Sequence, residues 1–219
     1  MRPGDAVHPA AAARPADART PHDAGTGAGR RRAIVACAAA TVACGALIAG
    51  AASVAGPATA AAAAATCTTP APKARGAGAA APRVKRIVRR AGTNVARRPR
   101  IASTSGTPPR RLVVDDVVRC RGGAAAKVGD TLQVRYSLAV WGRRGTIETT
   151  WGQPGPIALA LQRDALIDGW VEGLPGMHVG GRRVLVVPPR QGYGAAGAGK
   201  VPKNATLVFV VDLVGLTRP

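Results

Sequence analysis

The chain has 219 residues, a formal net charge of +20 and only six aromatic side chains: three Trp, two Tyr and one Phe. All six (Tyr136, Trp141, Trp151, Trp170, Tyr193 and Phe209) lie beyond residue 135, which argues against a second ring-built core in the first half. The histidines, His8, His22 and His178, are scattered without a carboxylate or cysteine at ligand spacing, which excludes a metal site.

Residues 1–60 combine a polar, Pro-rich stretch with RRRAIVACAAATVACGALIAGAASVAG at 30–56. Three arginines followed by the apolar run 33–56 have the form of a signal peptide or membrane anchor, long enough to span a bilayer. The arginines hold their end in the cytoplasm and send the rest of the chain outward. ATA at 58–60 offers a cleavage site; uncleaved, the run is an anchor. A lipoprotein pattern is met loosely at Cys37, which follows the arginines too closely, and less well at Cys44 and Cys67. Cys37 and Cys44 read as small hydrophobes within the run. Cys67 and Cys120 would face an oxidising exterior, where a disulfide between them is possible and would act as a tether.

Residues 61–100 read as a disordered basic linker. Between Cys67 and Arg100 stand ten Lys/Arg and no acid, with Pro, Gly, Ala and Thr filling the gaps. Like charges repel, and so little apolar surface does not offset the entropy of ordering. A basic arm of this kind binds phosphates without sequence preference. No ring stands between the charges to stack on bases, so a specific nucleic-acid role is set aside. Docking on an anionic envelope surface through screened charge is the weaker remaining idea.

From 101 to 219 the texture is that of one folded domain. RRLVVDDVVRC (110–120) reads as a strand. DTLQVRYSLAVW (130–141) alternates, placing Leu132, Val134, Tyr136 and Leu138 on one face of a half-buried antiparallel strand that ends in an exposed Trp141. GRRG turns the chain and TIETTW returns it; PIALAL (156–161) and RRVLVVPP (182–189) are further strands. One helix interrupts them: Asp164 caps it, and Leu166, Ile167, Trp170 and Leu174 form its apolar stripe. Gly169 and Gly173 weaken that helix on its own, so packing must hold it. ATLVFVVDLVGL (205–216) is the clearest strand, with Leu207, Phe209, Val211 and Leu213 on one face. The architecture expected is α+β, one antiparallel sheet wrapped over one short helix.

GAAGAGK (194–200) imitates a phosphate-cradling loop. Val201 and Pro202 follow the lysine where a Ser or Thr and a helix are needed, so the segment reads as a loop between strands.

VGDTLQVRYSLAV, LIDGWVEGLPGMHVGGRRVLVVPP, GYGAAGAG and VPKNATLVFVVDLVGL, in this order, resemble the FKBP-type peptidyl-prolyl cis-trans isomerases over about Leu112 to Leu216. The lead-in RPRI…GTPPRRLVV is similar to that of exported bacterial members. The resemblance implies a twisted antiparallel half-barrel around one short helix, with an apolar substrate pocket floored by Trp170. It assigns Tyr136, Glu148, Tyr193 and Phe209 to the catalytic set beside Trp170. Ile147, Ile157, Leu166, Ile167 and Val201 fall on substrate-binding positions. It also implies proline-containing polypeptide substrates, no cofactor or metal, a monomer, and a secreted or membrane-anchored place in a bacterial envelope.

Rotation about a peptide bond faces a barrier of about 18–20 kcal/mol because resonance must be broken. The twisted amide is less dipolar than the planar one, so a dry apolar pocket favours it relative to water. No nucleophile or acid is required. Departures from the family pattern lie at Ile147 and Glu148, where the family has Phe and Asp, and at Ile157, where it has Phe. They keep the wall apolar and remove aromatic edges, and they motivate an alternative: a proline-binding or chaperone module with weak turnover.

Overall fold

The structure, a computed structural model, describes residues 66–219. The signal or anchor reading of 1–60, with Cys37 and Cys44, and the first five residues of the expected linker lie outside the described residues. Seven strands form one antiparallel sheet: β1 (Thr66–Thr68), β2 (Val113–Arg121), β3 (Thr131–Val140), β4 (Glu148–Thr149), β5 (Ile157–Ala160), β6 (Arg182–Val187) and β7 (Leu207–Thr217). Their order is β1-β2-β6-β7-β3-β4, with β5 paired to the first half of β3 on the same edge as β4. Each strand coincides with an alternating or β-branched run, as the period of two requires.

Helix α2 (Asp168–Gly173) packs on what we call the inner face of the sheet. That face carries Leu132, Val134, Tyr136 and Leu138 from β3 with Leu207, Phe209, Val211 and Leu213 from β7. Its glycines have a packing reason. A side-chain carbon at 169 would run into both Cγ atoms of Val187, and one at 173 would meet Leu185 Cδ2 at 2.7 Å. Glycine therefore lets the helix backbone lie directly on β6, and contact with the sheet replaces the propensity the glycines remove. Asp164 does not cap this helix; it lies in a separate turn at Arg163–Ala165, and Ile167 occupies the N-cap without a side-chain bond.

The outer face corrects the reading of 66–100 as a disordered linker. Residues Ala81–Ala91 form helix α1, with Pro82 in its first turn, where a missing N–H costs nothing. Val84, Ile87, Val88 and Ala91 recur at helical spacing and are buried. They pack with Val113, Val117, Val184, Val186, Val208 and Val210, the outward-facing valines of β2, β6 and β7. β6 along its whole length and β7 over its first seven residues are therefore buried on both faces, while β3, read as half-buried, alternates up to Tyr136 and is buried on both faces beyond it. The basic residues stay in water on the opposite side of the helix, so charge and order coexist. The ordered body thus begins by 66 and not at 101.

Several local bonds fix this N-terminal extension. Cys67 and Cys120, opposite one another across β1 and β2, form a disulfide, which settles the pairing the sequence left open. The buried Asp115 carboxylate accepts the backbone N–H of Lys73 and of Ala74, each at 2.7 Å. Trp141 is buried rather than exposed, and its indole N–H donates to Gly106 O at 2.9 Å.

Candidate active site

The ring cluster sits where α2 crosses the inner face. Tyr136 of β3, Trp170 of α2 and Phe209 of β7 have no exposed surface. Their centroids are 5.4 Å apart for Tyr136–Trp170, 5.3 Å for Trp170–Phe209 and 6.1 Å for Tyr136–Phe209, all edge-to-face. This is the arrangement the ring quadrupoles favour, worth about 0.5–1.5 kcal/mol per pair beyond area burial. Three elements far apart in sequence must be in place at once for it to form. β3 and β7 pair directly, with Tyr136 opposite Val211 and Leu138 opposite Phe209.

The other expected residues gather around these rings. Leu166, Ile167, Tyr193 and Val201 belong to the same buried apolar cluster, and Ile147 and Ile157 pack against it half-exposed. Leu166 and Ile167 are the residues that lead into α2. Val201 is fixed by a pair of backbone bonds with Ala198, 2.7 and 3.0 Å, which close the glycine–alanine loop. Ile157 lies opposite Val134 in the β3–β5 pairing. Glu148, opposite Leu138 on β4, accepts a hydrogen bond from the Tyr136 hydroxyl. All ten residues singled out from the sequence thus occupy one region.

Polar chemistry here is sparse. No protein atom lies within hydrogen-bonding reach of the Trp170 indole N–H, although it is fully buried. Burial, reinforced by the hydrogen bond to Glu148, raises the Tyr136 pKa far above its ordinary value. Burial, with the Glu148 charge second, does the same for Tyr193. Both phenols remain protonated at neutral pH, and that of Tyr136 donates to Glu148. Among the described residues there is no cluster of three or more His, Cys, Asp or Glu that could hold a metal.

A separate cleft of about 370 Å³ beside the disulfide is lined in part by Asp116, Arg119, His178 and Arg183 and shares no residue with the ring cluster. Its charged lining does not suit a proline ring.

Two residues the sequence reading missed hold the helices on either face. Arg183 donates to Asp116 at 2.7 Å and to Gly173 O at 2.8 Å and Pro175 O at 3.2 Å, the carbonyls at the end of α2. Its neighbour Arg182 points the other way. It donates to Asp212 at 2.5 and 2.9 Å, and to Ala91 O at 3.1 Å, Gly92 O at 2.8 Å and Arg97 O at 2.7 Å, where α1 ends. Helix C-termini leave carbonyls without partners, and a guanidinium fork fills that need. Burial pushes the Asp116 carboxyl up, but the hydrogen bonds and charges of Arg183 and Arg119 outweigh it and leave the pKa below its ordinary value. For Asp212 burial prevails over Arg182, and the pKa is raised. The available signal was an arginine pair opening an apolar strand, matched by the acid pair in VVDDVV and the single acid in FVVDLV.

Comparison with known proteins bears on the same region. A family model described as FKBP-type peptidyl-prolyl cis-trans isomerase matches residues 122–214. The chain is 34% identical to the FK506-binding protein of Streptomyces anulatus over 121 residues, 54% of this chain and 97% of that protein. It is 38% identical to the FK506-binding protein of Neisseria meningitidis over 105 residues, 47% of this chain and 94% of that one. With FkpA, an FKBP-type peptidyl-prolyl cis-trans isomerase of Escherichia coli, identity is 39% over 103 residues, 47% of this chain and 37% of that protein.

Proposed function

The chain belongs to the FKBP-type peptidyl-prolyl cis-trans isomerase family, and from that premise we propose that it isomerises X-Pro bonds of proteins outside the cytoplasm in an apolar hollow floored by Trp170. The convergence of Tyr136, Trp170 and Phe209 into one edge-to-face cluster carries this reading. Leu166, Ile167, Tyr193 and Val201 form its surround, with Ile147 and Ile157 at the exposed margin. A proline ring seated at the half-exposed margin of these buried rings is oriented, and its amide leaves water for a setting with few polar partners. The planar, dipolar ground state loses more solvation there than the twisted state does, so the barrier falls. Each tenfold in rate needs about 1.4 kcal/mol of that preference. The enzyme acts as a monomer without cofactor, and its partners are proline-containing polypeptides.

An extracytoplasmic setting is supported by the Cys67–Cys120 disulfide, since such bonds persist in oxidising compartments. The apolar run at 33–56, behind three arginines, points the same way.

The test is cis-to-trans exchange of an X-Pro peptide with the full chain beside Trp170→Leu. Wild type should accelerate exchange, and the variant should lose at least about tenfold, equivalent to about 1.4 kcal/mol. No acceleration over buffer, or equal rates for the two proteins, overturns the proposal. The departures at Ile147, Glu148 and Ile157 favour a second reading, a proline-binding module with weak turnover. On that reading the double variant I147F/E148D gains activity sharply; an unchanged rate argues against it.

A further inference from the structure

We propose that the outward side of α1, with the loop that follows it, is a docking surface for an anionic phospholipid bilayer. Between residues 66 and 111 the chain holds twelve Lys/Arg and no Asp or Glu. None of the twelve takes part in any of the ion pairs formed among the described residues. Such a density of unneutralised charge in a disordered tail would be unremarkable; here it is fixed on an ordered scaffold. Val84, Ile87, Val88 and Ala91 bury one side of the helix against the sheet. Lys85, Arg86, Arg89 and Arg90 are exposed on the opposite side, as their helical spacing requires.

Neighbouring bonds hold this display in place without neutralising it. Arg86 donates to Ser103 O at 2.6 Å, a carbonyl that leaves the positive charge intact. Beyond the helix, a groove of about 580 Å³ is lined by Arg98, Pro99, Arg100, Ile101 and Thr146, with no carboxylate among them. Basic clusters next to a membrane are attracted to anionic headgroups over roughly a screening length.

Two observations choose the bilayer over a nucleic acid. No ring lies within 66–111 to stack on a base. The segment is also joined to the sheet through the disulfide, a bond of oxidising compartments. Distance supports the choice. Only nine residues, 57–65, separate the apolar run from β1, a reach of at most about 35 Å. If that run is retained as an anchor, α1 cannot leave the neighbourhood of the membrane. The placement rests on the anchor reading above; the charge recognition does not.

The experiment is flotation of the full chain with vesicles of phosphatidylcholine alone and of phosphatidylcholine containing phosphatidylglycerol, beside the variant K85Q/R86Q/R89Q/R90Q. Thermal melting and peptide isomerisation, expected unchanged, verify that the variant is folded. Wild type should gain binding when phosphatidylglycerol is present, and this gain should vanish near 1 M salt, where the screening length is about 3 Å. The variant should lose at least about tenfold of the gain. Binding to phosphatidylcholine alone reads the apolar run separately, so loss of the anchor reading is told apart from loss of this one. A gain that is equal in both proteins, or that survives salt, overturns the proposal. So does a nucleic-acid duplex that binds wild type when anionic vesicles do not.

Discussion

The two faces of the sheet are built from different materials for different ends. The inner face gathers three rings around α2 and leaves half-exposed Ile147 and Ile157 at its margin. The outer face is tiled mainly with valines, with Trp141 as its one buried ring among the described residues, and is closed by α1, whose contribution is aliphatic. Rings give a broad, shaped floor on which a ligand can rest; valines fill a surface and present nothing to bind. Between them β6 addresses both sides with consecutive residues. Arg183 ties the end of α2 to Asp116, and Arg182 ties the end of α1 to Asp212. Because side chains alternate across a strand, two neighbours in sequence serve opposite layers. In both cases the acid lies directly opposite the arginine in the strand register.

The sharpest way to break the comparison is to remove the arginines one at a time. Arg182→Met leaves Asp212 and the α1 carbonyls buried without their donor, and Arg183→Met does the same for Asp116 and the end of α2. Each should cost about 3–5 kcal/mol in chemical denaturation, since removing one partner strands a buried charge. Only Arg183→Met should also lower kcat/KM per folded molecule, because only it loosens the helix that carries Trp170. Equal effects on the rate would show that the faces are not separable.

A smaller perturbation confined to the outer face is Ile87→Ala, in a side chain with no exposed surface. About 2–4 kcal/mol of stability should be lost to the cavity and the missing transfer term, with isomerisation of a peptide unchanged. A rate that falls with stability would mean that α1 shapes the inner face as well.

The smallest expected effect is in acid. Asp116, with its folded pKa below the ordinary 3.8, contributes stability that is present above that value and lost as pH falls through it and through the lower folded value. Asp212, raised, has the opposite sign: its contribution is present below 3.8 and lost as pH rises through the raised folded value. Denaturation curves collected between about pH 5 and pH 2 should show a flatter acid loss in Asp116→Asn and a steeper one in Asp212→Asn. The reverse order would mean that the pairs are charged differently from this description.

Much of the inner face could be read before any coordinates. The alternation in DTLQVRYSLAV and ATLVFVVDLV named which residues of β3 and β7 share a side, and Leu166, Ile167 and Trp170 were placed at the sheet's helix. The outer face was misread for an identifiable reason. Val84, Ile87, Val88 and Ala91 have amphipathic helical spacing, but they sit among five Lys/Arg between residues 83 and 90, and charge density argued for disorder. Trp141, at a strand end, looked exposed because its cover, the loop at Gly106, is distant in sequence and carries no periodic signal.

The sequence by itself determined strands β2 to β7 and the short helix, because periodicity and glycine placement are local properties of the chain; which rings meet was implied by the resemblance to the family. Tertiary structure alone decided that a highly charged segment would be ordered. The outward valines of β2, β6 and β7 offer an apolar surface whose burial offsets the entropy of fixing α1, and a helix that packs only one side can keep its cations in water. That demand belongs to the assembled sheet and is written in no single stretch of residues.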